Sequence, residues 1–452
     1  MRPQRNYNGS MNDKLRRVGC ATAGLAVMIV AGCETQASLT KKRTRLVEKG
    51  LLREVAIKGL KTEKLGLNSR LQFYKVPAVS VAVMDRNGLE WAKAYGVRDA
   101  LVPEPATAET LFQAGALRQP LAAAAALRLV AEGKLSLDED IRPRLRGWKI
   151  PDSTLSETSI VTVRGLLLDP SDAGLAVLQK LLEDVTASPL AVLMADRVMG
   201  PLGIRASTFE AVLSDGRENL AASGHSREGR PLERKWLDNP ALAASGLWTN
   251  PTDLLSFAGD ILRTAMGREG RLLDAESARA MLTPQAGTRS LGFAVEGTGT
   301  DSRIHVRGRT GGFTCVLDVY PYRGQGAVVM TNSDNGFLLT DEILRAVSAV
   351  YEWPDYKPQE KTLYRLDPSI YARYVGRYEI SPDYVLDVSC EDYFLIIRPS
   401  GQAPTKFYVE NPTFFFSVDP YIRIQFLTDP KGNVTGLVLW QQDFKQEARK
   451  TG

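Results

Sequence analysis

Histidine and cysteine, the residue types that most often bind transition metals, are scarce in this 452-residue chain. Its two histidines, His225 and His305, leave no room for a multi-histidine metal site. Its four cysteines are too few and too scattered for a disulfide framework, so the sequence predicts neither a metal centre nor a cofactor. Cys315 and Cys390 are interpreted as small buried residues, and a bridge between them is left open.

The positive charge of the chain is concentrated at its N-terminus. The formal net charge is +5. Residues 1–32 contribute +4 of it, from five basic side chains and Asp13. The remaining residues are almost neutral, at +1. This charge distribution gives no electrostatic basis for a nucleic-acid partner.

Residues 1–32 have the layout of a signal peptide, with basic residues followed by a short apolar run. The run is shorter than the roughly 20 residues that span a bilayer. The following Val30-Ala31-Gly32-Cys33 resembles the lipobox of bacterial lipoproteins, which implies cleavage before Cys33 and lipidation of its thiol. We therefore expect a protein anchored to a membrane through Cys33. It would face the periplasm, with the outer membrane mildly favoured because Glu34 is not an aspartate retention signal, or it would lie at the cell surface. A secreted protein or an uncleaved helical anchor is the alternative.

Hydrophobic patterning divides the mature chain into four parts. Residues 33–60 are polar and basic and are predicted to form a tether that runs into a helix. Residues 61–355 begin with two strands joined at Asn87-Gly88, followed by a helix from Pro120 to Glu132. Helical patterns then occupy most of residues 150–285, one of them with Thr252 as predicted N-cap, before strands resume. This pattern predicts an α+β antiparallel sheet split by a helical insertion, with a cleft where the two parts meet.

The last part of the chain has a different pattern. Residues 356–365 are rich in proline and charge and are predicted to be a linker. Residues 366–452 show short alternating stretches separated by turn residues. This pattern predicts a small all-β barrel or sandwich at the C-terminus.

Several separated segments resemble the serine β-lactamase and penicillin-binding protein family. The nearest branch is the class C-like one, with its esterase and D-amino-acid peptidase relatives. The resemblance covers roughly residues 60–355 and implies the β-lactamase/transpeptidase-like fold, to which a barrel like the C-terminal one is often appended. The segments that carry it are "AVSVAVMDRNGLEWAKAYGV", "TLFQAGALRQPLAAAAALRLVAEGKLSLDEDI", "AASGLWTNPTDLLSFA" and "GGFTCVLDVYPYRGQGAVVMTNSDNG".

The resemblance implies acyl transfer by a defined set of groups. A serine at the start of a helix attacks a carbonyl, and a lysine one turn later helps to take its proton. Backbone amides and the helix N-terminus stabilise the oxyanion that forms. A tyrosine from a Tyr-x-Asn loop contributes to proton transfer. A His-x-Gly or Lys-Thr-Gly strand closes the far side of the site.

This sequence lacks the side chains of that set. Aligning "FQAGALRQP" with the family's Phe-Gln-Ala-Gly-Ser-x-x-Lys-Pro places Ala116 at the serine and Gln119 at the lysine. Pro170 falls at the tyrosine position and Val306 at the strand histidine. His305 is one residue away, which on a strand turns a side chain to the opposite face. No catalytic group of the family is therefore intact.

A candidate binding set replaces it. Arg309-Thr310-Gly311-Gly312 imitates Lys-Thr-Gly, and with Arg118 and Arg307 it is expected to surround the cleft with positive charge. Arginine presents a two-pronged donor that fits a carboxylate or phosphate. The alternative is that these arginines are solvated or paired with nearby acids. Arg118, Arg307, Arg309, Thr310 and Gly312 are the candidate residues.

Three further segments spell family motifs in order but are interpreted as coincidences. Ser38-Leu39-Thr40-Lys41 lies in the tether, Ser333-Asp334-Asn335 in a segment that matches the family with a separate role, and Lys450-Thr451-Gly452 at the chain end. His225 stands in a segment that resembles a family turn away from the nucleophile. It is interpreted as structural.

The leading hypothesis is a lipid-anchored pseudoenzyme of the cell envelope with a binding or scaffolding role. Its partner would be a peptidoglycan-like peptide or an envelope protein. The alternative is an active serine hydrolase, of β-lactamase, esterase or D-amino-acid peptidase type, that uses a non-standard nucleophile such as Ser171 or Thr310. A third hypothesis makes the C-terminal barrel the working module and the larger domain a spacer.

Overall fold

The computed structural model describes residues 35–150, 160–169, 171–214, 216–236, 246–441 and 444–451. The signal-peptide residues, Cys33 and Pro170 lie outside these ranges. The helices, in chain order, are α1 (Gln36–Glu48), α2 (Leu67–Tyr74), α3 (Arg118–Ala131), α4 (Val163–Leu168), α5 (Asp172–Thr186), α6 (Leu190–Met194), α7 (Gly200–Leu202), α8 (Pro251–Ala265), α9 (Ala275–Leu282), α10 (Gly336–Tyr351) and α11 (Pro368–Tyr371).

The strands fall into a main set and a barrel set. The main set is β1 (Val55–Ile57), β2 (Ala78–Asp85), β3 (Gly88–Gly96), β4 (Phe112–Gln113), β5 (Thr208–Phe209), β6 (Leu247–Thr249), β7 (Ala294–Glu296), β8 (Arg303–Thr310), β9 (Phe313–Tyr320), β10 (Gln325–Thr331) and β11 (Gln359–Lys361). The barrel set is β12 (Gly376–Ser381), β13 (Tyr384–Glu391), β14 (Phe394–Pro399), β15 (Thr405–Val409), β16 (Phe414–Val418), β17 (Tyr421–Thr428), β18 (Val434–Gln441) and β19 (Phe444–Lys450).

Two structural units divide the chain between Arg45 and Leu46. The described part of the first unit is the polar, basic beginning of α1, whose residues are exposed or half-buried. In the second unit Val47, Leu51 and Val55 are at most 2% exposed. Residues 46–60, which the sequence assigned to the tether, therefore belong to the folded unit, because their apolar side chains have a core to enter.

A six-stranded antiparallel sheet, in the order β3-β2-β10-β9-β8-β7, forms the centre of the larger domain. Helices α2 and α10 cover one face, where Val79, Val81 and Val329 share a core with Ile343. Helices α3, α5 and α8 belong to the core on the other face. The fold class expected from the sequence is confirmed.

The β2–β3 turn differs by one residue from the sequence prediction. Its central residues are Arg86 and Asn87, with φ of 52° and 63°, and Gly88 already pairs with Asp85. A two-residue hairpin with positive φ at both centres matches the right-handed twist of the strands. Asparagine tolerates this conformation, so Asn87 correctly indicated the turn. Gly88 is the first residue of β3 and does not belong to the turn.

Helix α3 runs through the interior, because its five consecutive alanines, Ala122–Ala126, are at most 1% exposed. Small side chains all round let neighbouring helices approach it closely. A three-stranded sheet, β4-β6-β5, delivers the chain to the start of α3. Helix α8 begins at Asn250, whose side chain accepts a hydrogen bond from Asp253 N at 2.9 Å, so Asn250 and not Thr252 is the N-cap.

The C-terminal strands β12–β19 form a closed eight-stranded antiparallel barrel. Alternate inward residues such as Leu395, Phe407 and Phe426 fill its interior. This confirms the all-β C-terminal domain and selects the barrel over the sandwich. Within the predicted linker, Gln359–Lys361 form β11, which pairs in parallel with β1.

Candidate ligand-binding cleft

A cleft of about 520 Å³ lies beside the N-terminal end of α3. Ala116 and Gln119 line it from the start of that helix. Residues 167–169 and Ser171 contribute from the α4–α5 connection, residues between 288 and 294 from the segment that leads into β7, and residues 305–307 from β8. The cleft therefore lies between the sheet edge and the helical insertion, where the sequence predicted it.

Ala116 is the middle residue of a single 3₁₀ turn, Gly115–Leu117, that continues directly into α3. Its side chain is half-buried and faces the cleft. N–H groups in the first turn of a helix have no intrahelical partner, and the helix dipole favours negative charge there. The position therefore suits an oxyanion, but its side chain is a methyl group with no oxygen to attack a carbonyl.

Two glycines bring the main chain of this turn against β8. Gly115 has φ of +51°, and a Cβ added there would lie 2.6 Å from Arg309 N. A Cβ added at Gly308 would lie 2.4 Å from Ala114 O and 2.8 Å from Ala116 N. Only glycines permit this approach. The backbone amides of Ala116 and of Arg309 consequently lie beside one another, as a two-amide oxyanion site requires.

Gln119 lies one turn after Ala116, half-buried, and also faces the cleft. Its amide does not take up a proton near pH 7. The described lining contains no lysine and no tyrosine, and its titratable side chains are those of Asp169, Arg289, His305 and Arg307. This part of the cleft thus holds no equivalent of the lysine or tyrosine that acyl transfer in the family needs.

Pro170, at the tyrosine position, lies outside the described residues, but both its neighbours line the cleft. Ser171 is the N-cap of α5, where its Oγ accepts a hydrogen bond from Gly174 N at 3.0 Å. No lysine, histidine or carboxylate among the described residues hydrogen-bonds to the Ser171 hydroxyl. A serine in this setting serves helix capping, and nothing in the described part of the cleft activates it as a nucleophile.

Arg118 does not face the cleft, contrary to the sequence expectation. It is 5% exposed and forms an ion pair with Asp172 in the first turn of α5. Burial lowers the pKa of Arg118 despite the opposing effect of Asp172. The side chains of Ala116 in the 3₁₀ turn and of Gln119 on α3 line the cleft, whereas Arg118 between them is buried and pairs with the exposed Asp172 at the start of α5.

The alternation of β8 separates Val306 from His305. Val306 belongs to the core on the α3 side of the sheet, whereas His305 pairs across the sheet with Asp318, on the opposite face. The His305 Nε2 atom lies 3.4 Å from Glu296 Oε1. Burial, with Arg303 and Arg307 nearby, lowers the pKa of His305. This histidine reaches the cleft at the strand edge and does not replace the one missing at Val306.

Arg307 is the only member of the five-residue candidate set that lines the described cleft. Its Nη1 donates to Asp341 Oδ1 at 2.9 Å, and its guanidinium lies 4.7 Å from the ring centre of Phe337. Burial lowers the pKa of Arg307, but Asp341 more than offsets this effect and the net shift is upward. Arg307 pairs with Val316, so its side chain lies, like that of His305, on the face of the sheet that α10 covers, and the residue reaches the cleft only at the strand edge.

The other members of the candidate set lie towards the end of β8. Arg309 Nη2 is 3.6 Å from Asp334 Oδ1. Thr310 is the last residue of β8 and pairs with Phe313. Gly312 lies in the following turn, where its N–H donates to Asp334 Oδ1 at 3.1 Å. The ring of positive charge expected around the cleft is therefore not formed by these residues.

Arg289 is the binding candidate that the sequence analysis missed. It is exposed and lines the cleft. Within the described ranges no acidic side chain forms an ion pair with it. Arg289 bridges to Ala294, which pairs with His305 of β8. Two strand spacings, about 10 Å, therefore separate the Arg289 backbone from β8.

Residues interpreted as structural occupy structural positions. His225 is fully buried, its Nδ1 lies 2.9 Å from Asn332 O, and its Nε2 accepts from Ala100 N at 3.1 Å. Cys315 and Cys390 are both free thiols, so no bridge joins them. Burial raises the pKa of the Cys315 thiol well above its usual range.

The three motif look-alikes do not come together at the cleft. Ser38 and Lys41 lie on α1, and Lys450 is the last residue of β19. Ser333 is fully buried, and Asn335 is the N-cap of α10, its side-chain amide donating to Tyr74 O at 3.0 Å. None of these residues lines the described cleft.

Comparison with known proteins settles the family. The family model described as Beta-lactamase matches residues 67–168 and 171–350. The chain belongs to the β-lactamase family. The matched residues include the turn at Ala116, helix α3 and strands β8 to β10, and they contain every described cleft residue except Asp169.

Two curated proteins resemble the chain in sequence. It is 23% identical over 330 residues to a β-lactamase of Pseudomonas fluorescens, an alignment that covers 58% of this chain and 90% of the relative. It is 32% identical over 108 residues to the esterase EstB of Burkholderia gladioli, covering 22% of this chain and 26% of the esterase.

Solved structures share the fold of this β-lactamase-family protein. SurE superposes with a TM-score of 0.54 at 20% identity, covering 85% of this chain and 97% of SurE. The octameric penicillin-binding protein homologue from Pyrococcus abyssi gives 0.58 at 17%, covering 84% and 98%. The D-alanine carboxypeptidase AmpC from Burkholderia cenocepacia gives 0.53 at 17%, covering 63% and 96%. The larger shares of this chain imply that the first two likenesses extend into the barrel.

The described ranges hold no group of three or more histidine, cysteine, aspartate or glutamate side chains placed to bind a metal ion. Among the described helices, none has both the length and the apolar character needed to cross a bilayer.

Proposed function

We propose that this protein is a catalytically inactive member of the β-lactamase family that binds its ligand without acylation. The observation that carries the proposal is the methyl group of Ala116 at the cleft-facing position of the turn before α3. An acyl-enzyme needs a nucleophilic oxygen or sulfur at that point. Gln119, one turn later, adds a second missing function, because it cannot accept the proton of a nucleophile.

The polar groups that remain in the cleft favour binding of a ligand. The main-chain approach of the Ala116 turn to β8 is intact, so a ligand carbonyl oxygen can be held by backbone amides. Arg289 is exposed at the cleft and suits a carboxylate, which accepts two parallel N–H donors from a guanidinium. The ligand we infer is an acyl-D-amino acid or a peptidoglycan-like peptide with a free carboxylate.

The cellular setting is part of the proposal. The lipobox-like Val30-Ala31-Gly32-Cys33 supports a lipoprotein anchored through Cys33 in the bacterial envelope, facing the periplasm or the cell surface. Residues 1–32 would be removed as a signal peptide. In that setting the cleft would meet cell-wall peptides, and an envelope protein is the alternative partner.

Covalent labelling tests the absence of acyl transfer. Purified full-length protein is incubated with a fluorescent penicillin and, separately, with a fluorophosphonate, and the intact mass is measured. We expect no adduct. An adduct would support the rival function, a hydrolase with another nucleophile. Ser171 is the leading candidate for that role because it lines the cleft, and Thr310 is the second. Loss of the adduct in Ser171→Ala or Thr310→Val would then identify it.

A thermal-shift titration tests the binding role. N-acetyl-D-alanyl-D-alanine should raise the melting temperature of the wild-type protein, since a ligand that binds only the native state stabilises it. The methyl ester of the same dipeptide should have a smaller effect, because it lacks the carboxylate. If neither compound shifts the melting temperature at millimolar concentration, the peptide-binding role is wrong.

A further inference from the structure

A second cavity, of about 390 Å³, lies at the junction between the barrel and the larger domain. Residues between 53 and 63, around β1, form one wall. Residues of β15 and the β16–β17 hairpin form the other. Cavities of this size at domain junctions commonly bind small molecules. The described linings of this cavity and of the cleft share no residue.

The barrel side of this cavity is formed where β15 and β16 pair over a short length. Two residue pairs join them, Tyr408 with Phe416 and Val409 with Phe415. Beyond these pairs, Thr405 and Lys406 on β15 and Val418 at the end of β16 line the cavity. The unpaired ends of the two strands therefore contribute side chains to the cavity wall.

The lining combines an apolar surface with positive charge. Ile57, Leu60, Tyr408 and Val418 supply apolar surface, and Leu60 is 63% exposed. A large aliphatic side chain left this open gains free energy when a ligand covers it, at about 25 cal/mol per Å² of apolar surface removed from water. The lining thus favours a ligand with an aliphatic body.

The acidic side chains of the cavity are paired with a cation, whereas two of its lysines have no acidic partner among the described residues. Arg53 pairs with Glu63 at 2.8 Å and with Asp419 at 2.9 Å, so both acidic lining residues already have a cationic partner. Lys61 and Lys406 have no acidic partner among the described residues. Lys406 Nζ instead lies 3.2 Å from the ring centre of Phe394. Two ammonium groups therefore remain without a counter-charge at the cavity wall.

We propose that this cavity binds an amphipathic carboxylate, a single aliphatic chain ending in one carboxyl group. The chain lies against Ile57, Leu60 and Val418, and the carboxylate lies between Lys61 and Lys406. An uncharged or cationic ligand would leave the two ammonium groups without a counter-charge, so the sign of the ligand's charge decides affinity. The inference is independent of the function proposed for the cleft.

Sodium octanoate is the probe, and isothermal titration calorimetry of the full-length protein measures its binding. We expect octanoate to bind and octylammonium not to bind. Exchange of either Lys61 or Lys406 for methionine should weaken octanoate binding about threefold, and the double variant about tenfold, since each partly exposed ion pair contributes modestly. Val418→Phe should abolish binding by filling the cavity.

Two control variants show whether octanoate binds in this cavity or elsewhere on the protein. Lys431→Met removes an exposed lysine in the β17–β18 turn and should leave the affinity unchanged. Arg289→Met removes the cationic side chain of the cleft and should also leave it unchanged, so octanoate bound in the cleft is recognised as such. The proposal is overturned if octanoate does not bind, if octylammonium binds equally, or if the double lysine variant keeps full affinity.

Discussion

Arg70 of the larger domain and Asp419 of the barrel are joined by two hydrogen bonds, Nη1 to Oδ2 at 2.9 Å and Nη2 to Oδ1 at 2.7 Å. Arg70 is 4% exposed, and Glu342 of α10 binds the same guanidinium at 2.8 and 2.7 Å. Burial alone would lower the pKa of Arg70, but the two carboxylates reverse the effect and raise it. The barrel is thus held to the larger domain by a guanidinium that is almost fully buried.

Asp419→Ala should destabilise the protein by about 2 kcal/mol, measured as the free energy of unfolding in urea. Removing one partner leaves buried positive charge partly uncompensated, which costs about 3–5 kcal/mol in a fully buried pair, and Asp419 retains some solvent contact. Glu63→Gln is the matched control, because it removes only the exposed partner of Arg53 and should change stability by less than about 0.5 kcal/mol. Equal effects from both variants would contradict this account of the junction.

The double variant Ala116→Ser with Gln119→Lys should not hydrolyse a chromogenic cephalosporin. It restores the nucleophile and the lysine but not the groups that the family places at Pro170 and Val306. Turnover is measured at pH 7 against the wild-type protein as blank, after circular dichroism shows that the variant is folded. Hydrolysis above the blank would mean that those two positions are dispensable.

Gly308→Ala should destabilise the protein by about 2 kcal/mol, within the range for forcing extra atoms into a packed site. The new methyl group would lie 2.4 Å from Ala114 O, so the strand and the turn must separate. Gly88→Ala is the control, because its nearest neighbour would be 3.9 Å away. Urea denaturation of both variants measures the difference, and a Gly308→Ala variant as stable as Gly88→Ala would show that the contact is loose.

His225 should make the protein less stable in mild acid. Burial lowers the pKa of folded His225 below its unfolded value of 6.5. As the pH falls from 7.5 to 5.5, the unfolded state therefore binds more protons than the native state, and the free energy of unfolding decreases. The stability difference between wild type and His225→Gln, followed across that range by urea denaturation, should shrink towards low pH. A constant difference would show that His225 does not titrate differently in the two states.

Arg289→Met should weaken binding of N-acetyl-D-alanyl-D-alanine about tenfold, the effect of losing one charge-assisted contact. Binding of its methyl ester should change little, which separates recognition of the carboxylate from a general effect on the cleft. Arg268→Met, an exposed arginine that does not line the described cleft, is the control. Calorimetric titration measures all three proteins, and an equal loss for peptide and ester would refute a carboxylate contact.

The fold was largely predictable from sequence because its strands and helices carry strong local patterns. Helix α3 was expected at Pro120 to Glu132 and is found at Arg118–Ala131, since the alanine run dominates its propensity. Local turn chemistry was less certain. For α8 both Thr252 and Asn250 are favourable N-cap residues. Which of them caps the helix depends on where the chain leaves β6.

The candidate site was less predictable, because it depends on contacts between distant residues. Arg118 was placed at the cleft by its neighbours in sequence, but its guanidinium pairs instead with Asp172, 54 positions away at the start of α5. Arg289 lies in a segment without periodicity, and its proximity to β8 follows only from the register of Ala294 with His305. Ala116 and Gln119 both line the cleft, and their spacing could be inferred from sequence because the 3₁₀ turn continues directly into α3.

The close approach of the Ala116 turn to β8 is built from peptide groups and two glycines. A single codon change can erase a hydroxyl, but it cannot remove an amide hydrogen from the main chain unless it introduces proline. A protein that loses turnover in this way keeps the main-chain geometry that served its former reaction. A compound designed as an inhibitor of active relatives would then still bind to such a protein. The protein would sequester the compound without destroying it.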